Sequence, residues 1–214
     1  MISVIVPSRH RSEQLRVYLG QLSNVSPGIE IITVLDYDDV DSLSLRLPGQ
    51  RVVMEWKQEP PTPVEKWNTG LAAATGDAFV LGGDDHWFKQ GWLEDAQACL
   101  EEGAGFIGLA EQREIGWPVI YLMTREWCKK WHGGVLCVPH YKSQCVDKET
   151  YFRAMRSQDW IWPEGVVENH HPYHGTKPWD DIYRRGQAWS EEDHKTFERR
   201  RSAGFPDDFP PVLR

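Results

Sequence analysis

Two adjacent carboxylates, Asp84 and Asp85, close the segment Val80-Leu81-Gly82-Gly83-Asp84-Asp85-His86. They follow a short apolar run, Ala78-Phe79-Val80-Leu81, and two glycines. The run reads as a buried strand. It delivers the carboxylates to the sheet edge where ligands of open α/β sheets bind. Neighbouring carboxylates repel there unless a cation lies between them. Such a cation needs an anionic partner, and a nucleotide diphosphate is the usual one. Gly-Gly-Asp-Asp is also good turn chemistry, so a plain polar turn is the competing reading.

Other clusters carry related chemistry. Pro7-Ser8-Arg9-His10-Arg11 follows the first apolar run. Arg and Ser there suit a ribose or a diphosphate, or simply an exposed basic loop. Asp36-Tyr37-Asp38-Asp39 follows the second run. A carboxylate there can accept from a ribose hydroxyl or a pyrimidine N–H, while Asp38 or Asp39 can cap the next helix. His170-His171-x-x-His174 offers common metal ligands that can complete a carboxylate-rich Mn²⁺ or Mg²⁺ site. Surface histidines beside a proline turn are the alternative. Asp147 opens a helical stretch, where the helix N-terminus favours an ionised carboxylate. It reads either as an N-cap or as a general base for an acceptor hydroxyl.

The elements that must position these groups alternate in the first half. Strands are expected at 2–6, 29–35, 51–54 and 78–81. Helices are expected from Ser12, as cap, through Leu15, Val17, Leu19 and Leu22; from Pro63 to Thr75, with Ala72, Ala73 and Ala74 packing closely and Gly76 as C-cap; and from Gln90 to Glu102. This order implies a mostly parallel, doubly wound α/β sheet with its polar clusters on one edge. The second half is less regular. Strands are expected at 106–109, 119–123 and 166–167. Helices are expected from Thr124, as cap, to Trp131, from Asp147 to Arg156, and from Glu191 to Arg201. The end from Phe205 reads as a loose tail.

Composition narrows the class. The chain has 214 residues, 40% of them hydrophobic, enough for one domain with a real core. Its Lys and Arg number 24 and its Asp and Glu 32, a net charge of −8. That balance gives no global pull toward nucleic acid or anionic membrane. No apolar stretch reaches the roughly 20 residues of a membrane helix. The N-terminus reads as a strand rather than a signal peptide. Cys99, Cys128, Cys137 and Cys145 form no C-x-x-C pair, so reduced thiols in a cytoplasm are expected. Eleven tryptophans offer faces for sugar rings and bases.

These residues resemble a family. Ser3-Val4-Ile5-Val6-Pro7-Ser8-Arg9, Val34-Leu35-Asp36, Lys66-Trp67-Asn68-Thr69-Gly70-Leu71 and Gly76 to Asp85 are together similar to the GT-A glycosyltransferases, in particular the inverting family 2. Gly82 or Gly83 stands where that family's D-x-D often has its first Asp, leaving x-Asp84-Asp85. The region from Tyr141 to Arg201 resembles glycosyltransferase-like proteins encoded by bacteriophages. Asp147 opens a helix there, and Trp179-Asp180-Asp181-Ile182-Tyr183 fits. Val167-Glu168-Asn169-His170-His171 departs, since Asn169 replaces a His.

The resemblance implies a GT-A fold over residues 1–214: a nucleotide-binding half at 1–103, an acceptor half at 104–204 and a tail at 205–214. It implies a metal-dependent hexosyltransferase moving sugar from a nucleotide sugar, a UDP-sugar first, with inversion. The donor would lie among Pro7, Ser8, Arg9, Arg11, Asp36, Asp38, Lys66 and Asn68, with Asp84 on the sugar or ribose. Asp85 and His171 would hold Mn²⁺ or Mg²⁺, and Asp147 would be the catalytic base. Acceptors in range are a phage DNA base, which the acidic charge disfavours, a virion protein or a glycan. The location would be cytoplasmic, in a host cell if phage-encoded. A nucleotidyltransferase is a rival, but it needs a Gly-rich loop that Pro7-Ser8-Arg9 does not supply. A catalytically inactive sugar-binding module is the other rival, kept alive by the missing first Asp.

Overall fold

The computed structural model describes residues 1–110, 115–163 and 166–209. The apolar runs of the first half form β1 (Ile2–Pro7), β2 (Glu30–Asp36) and β4 (Ala78–Leu81), with β3 (Gln50–Met54) at the sheet edge. All four are parallel. The sheet continues through β7 (Tyr121–Thr124), β6 (Phe106–Gly108) and β8 (Trp160–Ile161) in the order β3-β2-β1-β4-β7-β6-β8. β7 runs antiparallel to both of its neighbours. The mostly parallel α/β sheet flanked by helices expected from the sequence is therefore the fold.

Side chains alternate across the sheet with the period of two that extended backbone imposes. Val4 and Val6 pack with Leu15, Leu19 and Leu22 of α1 (Ser12–Val25) and Trp92 of α4 (Trp92–Glu101). Ile5, Phe79 and Leu81 pack on the other side with Val64 of α3 (Pro63–Ala73), Trp127 of α5 (Arg125–Trp131) and Val146 of α6 (Val146–Ser157). Both faces are covered, which is why these strands read as unbroken apolar runs. Burying each α1 leucine contributes about 1.5–3 kcal/mol.

Several local expectations change. Ser12 is the first residue of α1, which Arg11 precedes without a side-chain cap, and Val17 is 43% exposed rather than core. α3 ends at Ala73, capped by Ala74 rather than Gly76. The close packing there belongs to Gly70, where a Cβ would fall 2.4 Å from Ile5 Cγ2. Thr62 and Glu65 form the capping box that starts α3, with Pro63 as its first residue. Thr124 caps α5 as expected, accepting from Trp127 N–H. Asp147 is the second residue of α6, behind Cys145 and Val146, and does not cap it.

Short elements escaped the periodicity: α2 (Val40–Ser44), β5 (His86–Phe88), β8 and α7 (Asp181–Ala188). β5 pairs antiparallel with β9 (Val167–Asn169), His86 opposite Asn169. The last helix, α8 (Ser190–Ser202), is held by a buried ion cluster. Glu149 of α6 accepts from Arg153 at 2.9 Å, Arg200 at 2.8 Å and the Tyr141 hydroxyl at 2.6 Å. Burial pushes the Glu149 carboxyl up, but Arg200, Tyr141 and Arg153 outweigh it and hold it below the usual range. The chain after α8 is not loose over its described part. Phe205 is buried, and the carbonyls of Phe205 and Pro206 accept from Arg153. Residues 210–214 of the expected tail lie outside the described residues.

Candidate active site

β1, β2 and β4 deliver their polar clusters to the same sheet edge, since Pro7 pairs with Val34 and Ile5 with Leu81. A cavity of about 530 Å³ opens there. Pro7, Ser8, Arg9, Arg11 and Lys66 line it, and so do Asp84, Asp85, Asp147 and His171. Asp36, Asp38 and Asn68 are not among its lining residues.

Asp36 lies fully buried and holds two cations that do line the cavity. Its Oδ2 accepts from Arg9 at 2.5 Å and from Lys66 at 2.6 Å. Burial lowers the Lys66 pKa and Asp36 offsets part of that. Asp36 Oδ1 is buried without a hydrogen-bond partner in the described residues. Asp38 grips the same Arg9 guanidinium through two oxygens, each at 2.7 Å. Asp39 caps α2 through Ser42 N–H. Asp39 thus takes the capping reading, while Asp36 and Asp38 hold Arg9. Asn68 is used structurally: its Oδ1 accepts from Leu136 and Cys137 N–H, and its Nδ2 donates to the Cys137 carbonyl. The amide ties α3 to residues 136 and 137, and Asn68 does not line the cavity.

The paired carboxylates have separate partners. Asp84 accepts from Ser8 Oγ at 2.6 Å, Arg11 at 3.0 Å and Gln14 at 3.0 Å. These bonds make it an anchor between β1, α1 and the end of β4. Asp85 accepts from the Tyr183 hydroxyl at 2.8 Å, with His86 Nε2 at 3.5 Å and Lys177 Nζ at 4.0 Å. Burial works against the Asp85 carboxylate, but His86, Lys177 and Tyr183 outweigh it and hold it ionised. Gly83 stands close behind. A Cβ on it would fall 2.8 Å from Asp85 Oδ1 and 3.1 Å from His86. A first Asp of D-x-D at that position would crowd the carboxylate it is meant to assist.

The C-terminal segment is zipped to this edge. The β5–β9 pairing continues in a bond from His170 N–H to the Asp85 carbonyl at 2.8 Å, which brings His171 to the cavity. His170 turns to Glu168, at 2.8 Å. Burial lowers the His171 pKa to about 4 against the pull of Asp85, so the imidazole is neutral near pH 7. Its Nδ1 accepts from Tyr173 N–H, and Tyr183 packs edge-on against the ring at 4.6 Å. Arg11 grips Asp180 through two bonds of 2.8 Å and lies 3.9 Å over the Tyr183 ring.

On another wall, Trp117 Nε1 donates to Asp147 Oδ2 at 2.9 Å. Burial pushes the Asp147 carboxyl up, partly offset by Trp117 and by the N–H groups of the first turn of α6. A carboxylate shifted upward is a better proton acceptor. The loop before α6 is held by Asp193 of α8, which accepts from the N–H groups of Lys142, Ser143 and Gln144 at 2.7–3.0 Å.

Among the described residues, no group of three or more His, Cys, Asp or Glu is arranged to hold a metal ion. The cavity nonetheless offers an ionised carboxylate, Asp85, and a neutral imidazole, His171. One or two protein donors suit a Mg²⁺-like ion that takes its other ligands from phosphate and water. The residues fit a cation bound together with a diphosphate, not one bound by protein alone.

Sequence reasoning missed Trp117, Lys177, Tyr183 and Asp193. Trp117 and Asp193 bring single donors or acceptors from distant positions, which no spacing pattern records. Tyr183 sat in the quoted Trp179-Asp180-Asp181-Ile182-Tyr183 segment, and its packing beside Asp85 needs the tertiary fold.

Comparison with solved structures returns the same architecture. The mannosyltransferase PcManGT from Pyrobaculum calidifontis, in complex with GDP-Man and Mn²⁺, superposes with a TM-score of 0.67 at 16% identity, over 98% of this chain and 66% of that one. S. aureus TarS with UDP-GlcNAc gives 0.66 at 16% identity, over 85% and 60%. Glucosyl-3-phosphoglycerate synthase from Mycobacterium tuberculosis, with Mn²⁺, UDP and phosphoglyceric acid, gives 0.62 at 17%, over 97% and 80%. At these identities the likeness is one of fold, and the chain spans about two thirds or less of the first two proteins. No curated protein matches the sequence. No helix among the described residues is long and apolar enough to cross a membrane. The Glycosyl transferase family 2 model matches residues 3–157. The GT-A fold and that match, which covers most of the sequence, show that the chain belongs to glycosyl transferase family 2.

Proposed function

We propose that the chain transfers a sugar from a nucleotide sugar, a UDP-sugar first, to an acceptor hydroxyl with inversion. The observation that carries this is one cavity lined by Asp85 and His171 and also by Asp147. Arg9 and Lys66, held by Asp36, supply positive charge for the donor. Asp85 and His171 would hold Mn²⁺ or Mg²⁺, whose Lewis acidity stabilises the departing diphosphate.

Asp147 takes the acceptor proton as the acceptor oxygen bonds to the anomeric carbon. The bond from that carbon to the diphosphate oxygen breaks, and its electron pair leaves with the nucleotide. The chain acts as one domain, with the donor held by residues 1–103 and the acceptor by 104–204. A DNA base, a virion protein and a glycan are the acceptors that its likeness to phage-encoded proteins brings in, and a cytoplasmic site goes with them. Incubation with a panel of UDP- and GDP-sugars and Mn²⁺ tests the reading. Slow release of the nucleoside diphosphate from one donor is expected. A panel in which no donor is bound or hydrolysed overturns it.

A further inference from the structure

Asp147 and Trp117 are 30 residues apart and meet at the cavity wall through a single 2.9 Å bond. An indole N–H can only donate. It therefore steadies a carboxylate oxygen without being able to take the proton that the carboxylate collects. A hydroxyl or amide partner would offer an acceptor as well. The ring is itself fixed: Lys148 Nζ lies 4.7 Å over Trp117 and 4.6 Å over Phe197, bridging the indole to α8. We propose that Trp117 is the positioning residue of the catalytic base, fixing Asp147 Oδ2 so that Oδ1 meets the acceptor hydroxyl. This rests on reading Asp147 as the base.

The surroundings of Asp147 leave the indole an unobscured effect. Lys148 beside it carries the charge that bears on it from α6. Cys145, Cys137 and Tyr121 face it from the loop before α6, the segment after α5, and β7. Burial pushes Cys145 up to about 12, and pushes Cys137 and Tyr121 well above their usual ranges, so all three are neutral near pH 7. Removing the indole donor withdraws a bond that favours the ionised carboxylate, so the Asp147 midpoint must rise.

The test is a carbon-13 titration of aspartate carboxyls, with the Asp147 signal assigned by its loss in Asp147→Asn. In Trp117→Phe, which keeps a ring against Lys148, the Asp147 midpoint is expected to rise by about one to two pH units. In the wild-type protein the Trp117 indole proton should titrate with that same midpoint, a readout that needs no variant. The acidic limb of UDP-glucose hydrolysis with Mn²⁺ should move to higher pH in step, while UDP affinity is unchanged. An unmoved Asp147 midpoint, or an indole proton indifferent to it, overturns the proposal. Failure of the underlying reading shows elsewhere: Asp147→Asn that hydrolyses UDP-glucose at the wild-type rate removes the base, and with it Trp117's role, whatever the titration gives.

Discussion

The Tyr183 hydroxyl donates to Asp85 Oδ2 at 2.8 Å, joining residues 98 positions apart. The bond ties α7, which lies beyond the residues matched by the family model, to the strand end that carries the paired carboxylates. Tyr183 also packs against His171, so one side chain touches both proposed metal ligands. Partners that orient metal ligands typically carry 10–100-fold in metal affinity. Tyr183→Phe should therefore weaken Mn²⁺-dependent UDP binding about tenfold while metal-free binding stays the same. Equal affinity with Mn²⁺ in both proteins contradicts that role.

The histidines separate by position. His171 lines the cavity beside Tyr183, whereas His170 is committed to Glu168. His171→Ala should lose more Mn²⁺-dependent UDP affinity than His170→Ala or His174→Ala. Calorimetry of the three variants decides it, and a largest effect at His174, which also lines the cavity, would move the ligand assignment there.

Asp84 should behave as part of the frame. It is buried and accepts from Ser8, Arg11 and Gln14. Asp84→Asn weakens the bonds from Ser8 and Arg11 while Arg11 keeps its two bonds to Asp180, a change worth about 1–2 kcal/mol. Denaturant unfolding should show a loss of that order. A variant as stable as the wild type would return Asp84 to the role of sugar or ribose ligand.

His132 gives the fold a pH dependence. The ring is fully buried, with Nδ1 at 2.7 Å from the Val135 carbonyl, and burial lowers its pKa to about 4. The unfolded value is about 6.5. The neutral ring is thus favoured in the folded state. Its contribution is complete above pH 6.5 and is lost as pH falls toward 4. Between pH 7.5 and 4.5 the wild type should lose roughly 2–3 kcal/mol more than His132→Gln in urea unfolding. Parallel losses in the two proteins would refute the assignment.

Much of this arrangement is legible in the sequence, for a physical reason. The parallel strands are buried on both faces, so β1, β2 and β4 read as apolar runs ending in polar clusters, and those after β1 and β4 line the cavity. What escapes are contacts with no periodic signature. Asn68 sits within a recognisable helix motif, yet only the fold shows its amide spent on residues 136 and 137. Asp36 reads as a direct ligand from its place at a strand end, yet in the fold it is buried and accepts from Arg9 and Lys66, which line the cavity. β5 and β9 have three residues each, too few for alternation to be read, although their pairing is what carries His171 to Asp85.

The most direct measurement is calorimetric titration of UDP into the wild type and Asp85→Asn, each with Mn²⁺ and with chelator. Asp85 is buried, ionised and in contact with Tyr183, so it is the group on which a diphosphate-bound cation would rest. Wild-type affinity is expected to rise with Mn²⁺ and fall with chelator. Asp85→Asn is expected to bind UDP at the weak, chelated level under both conditions, with its fold intact. Metal-independent UDP binding by the wild type, or an unchanged Mn²⁺ response in Asp85→Asn, would contradict that role for Asp85.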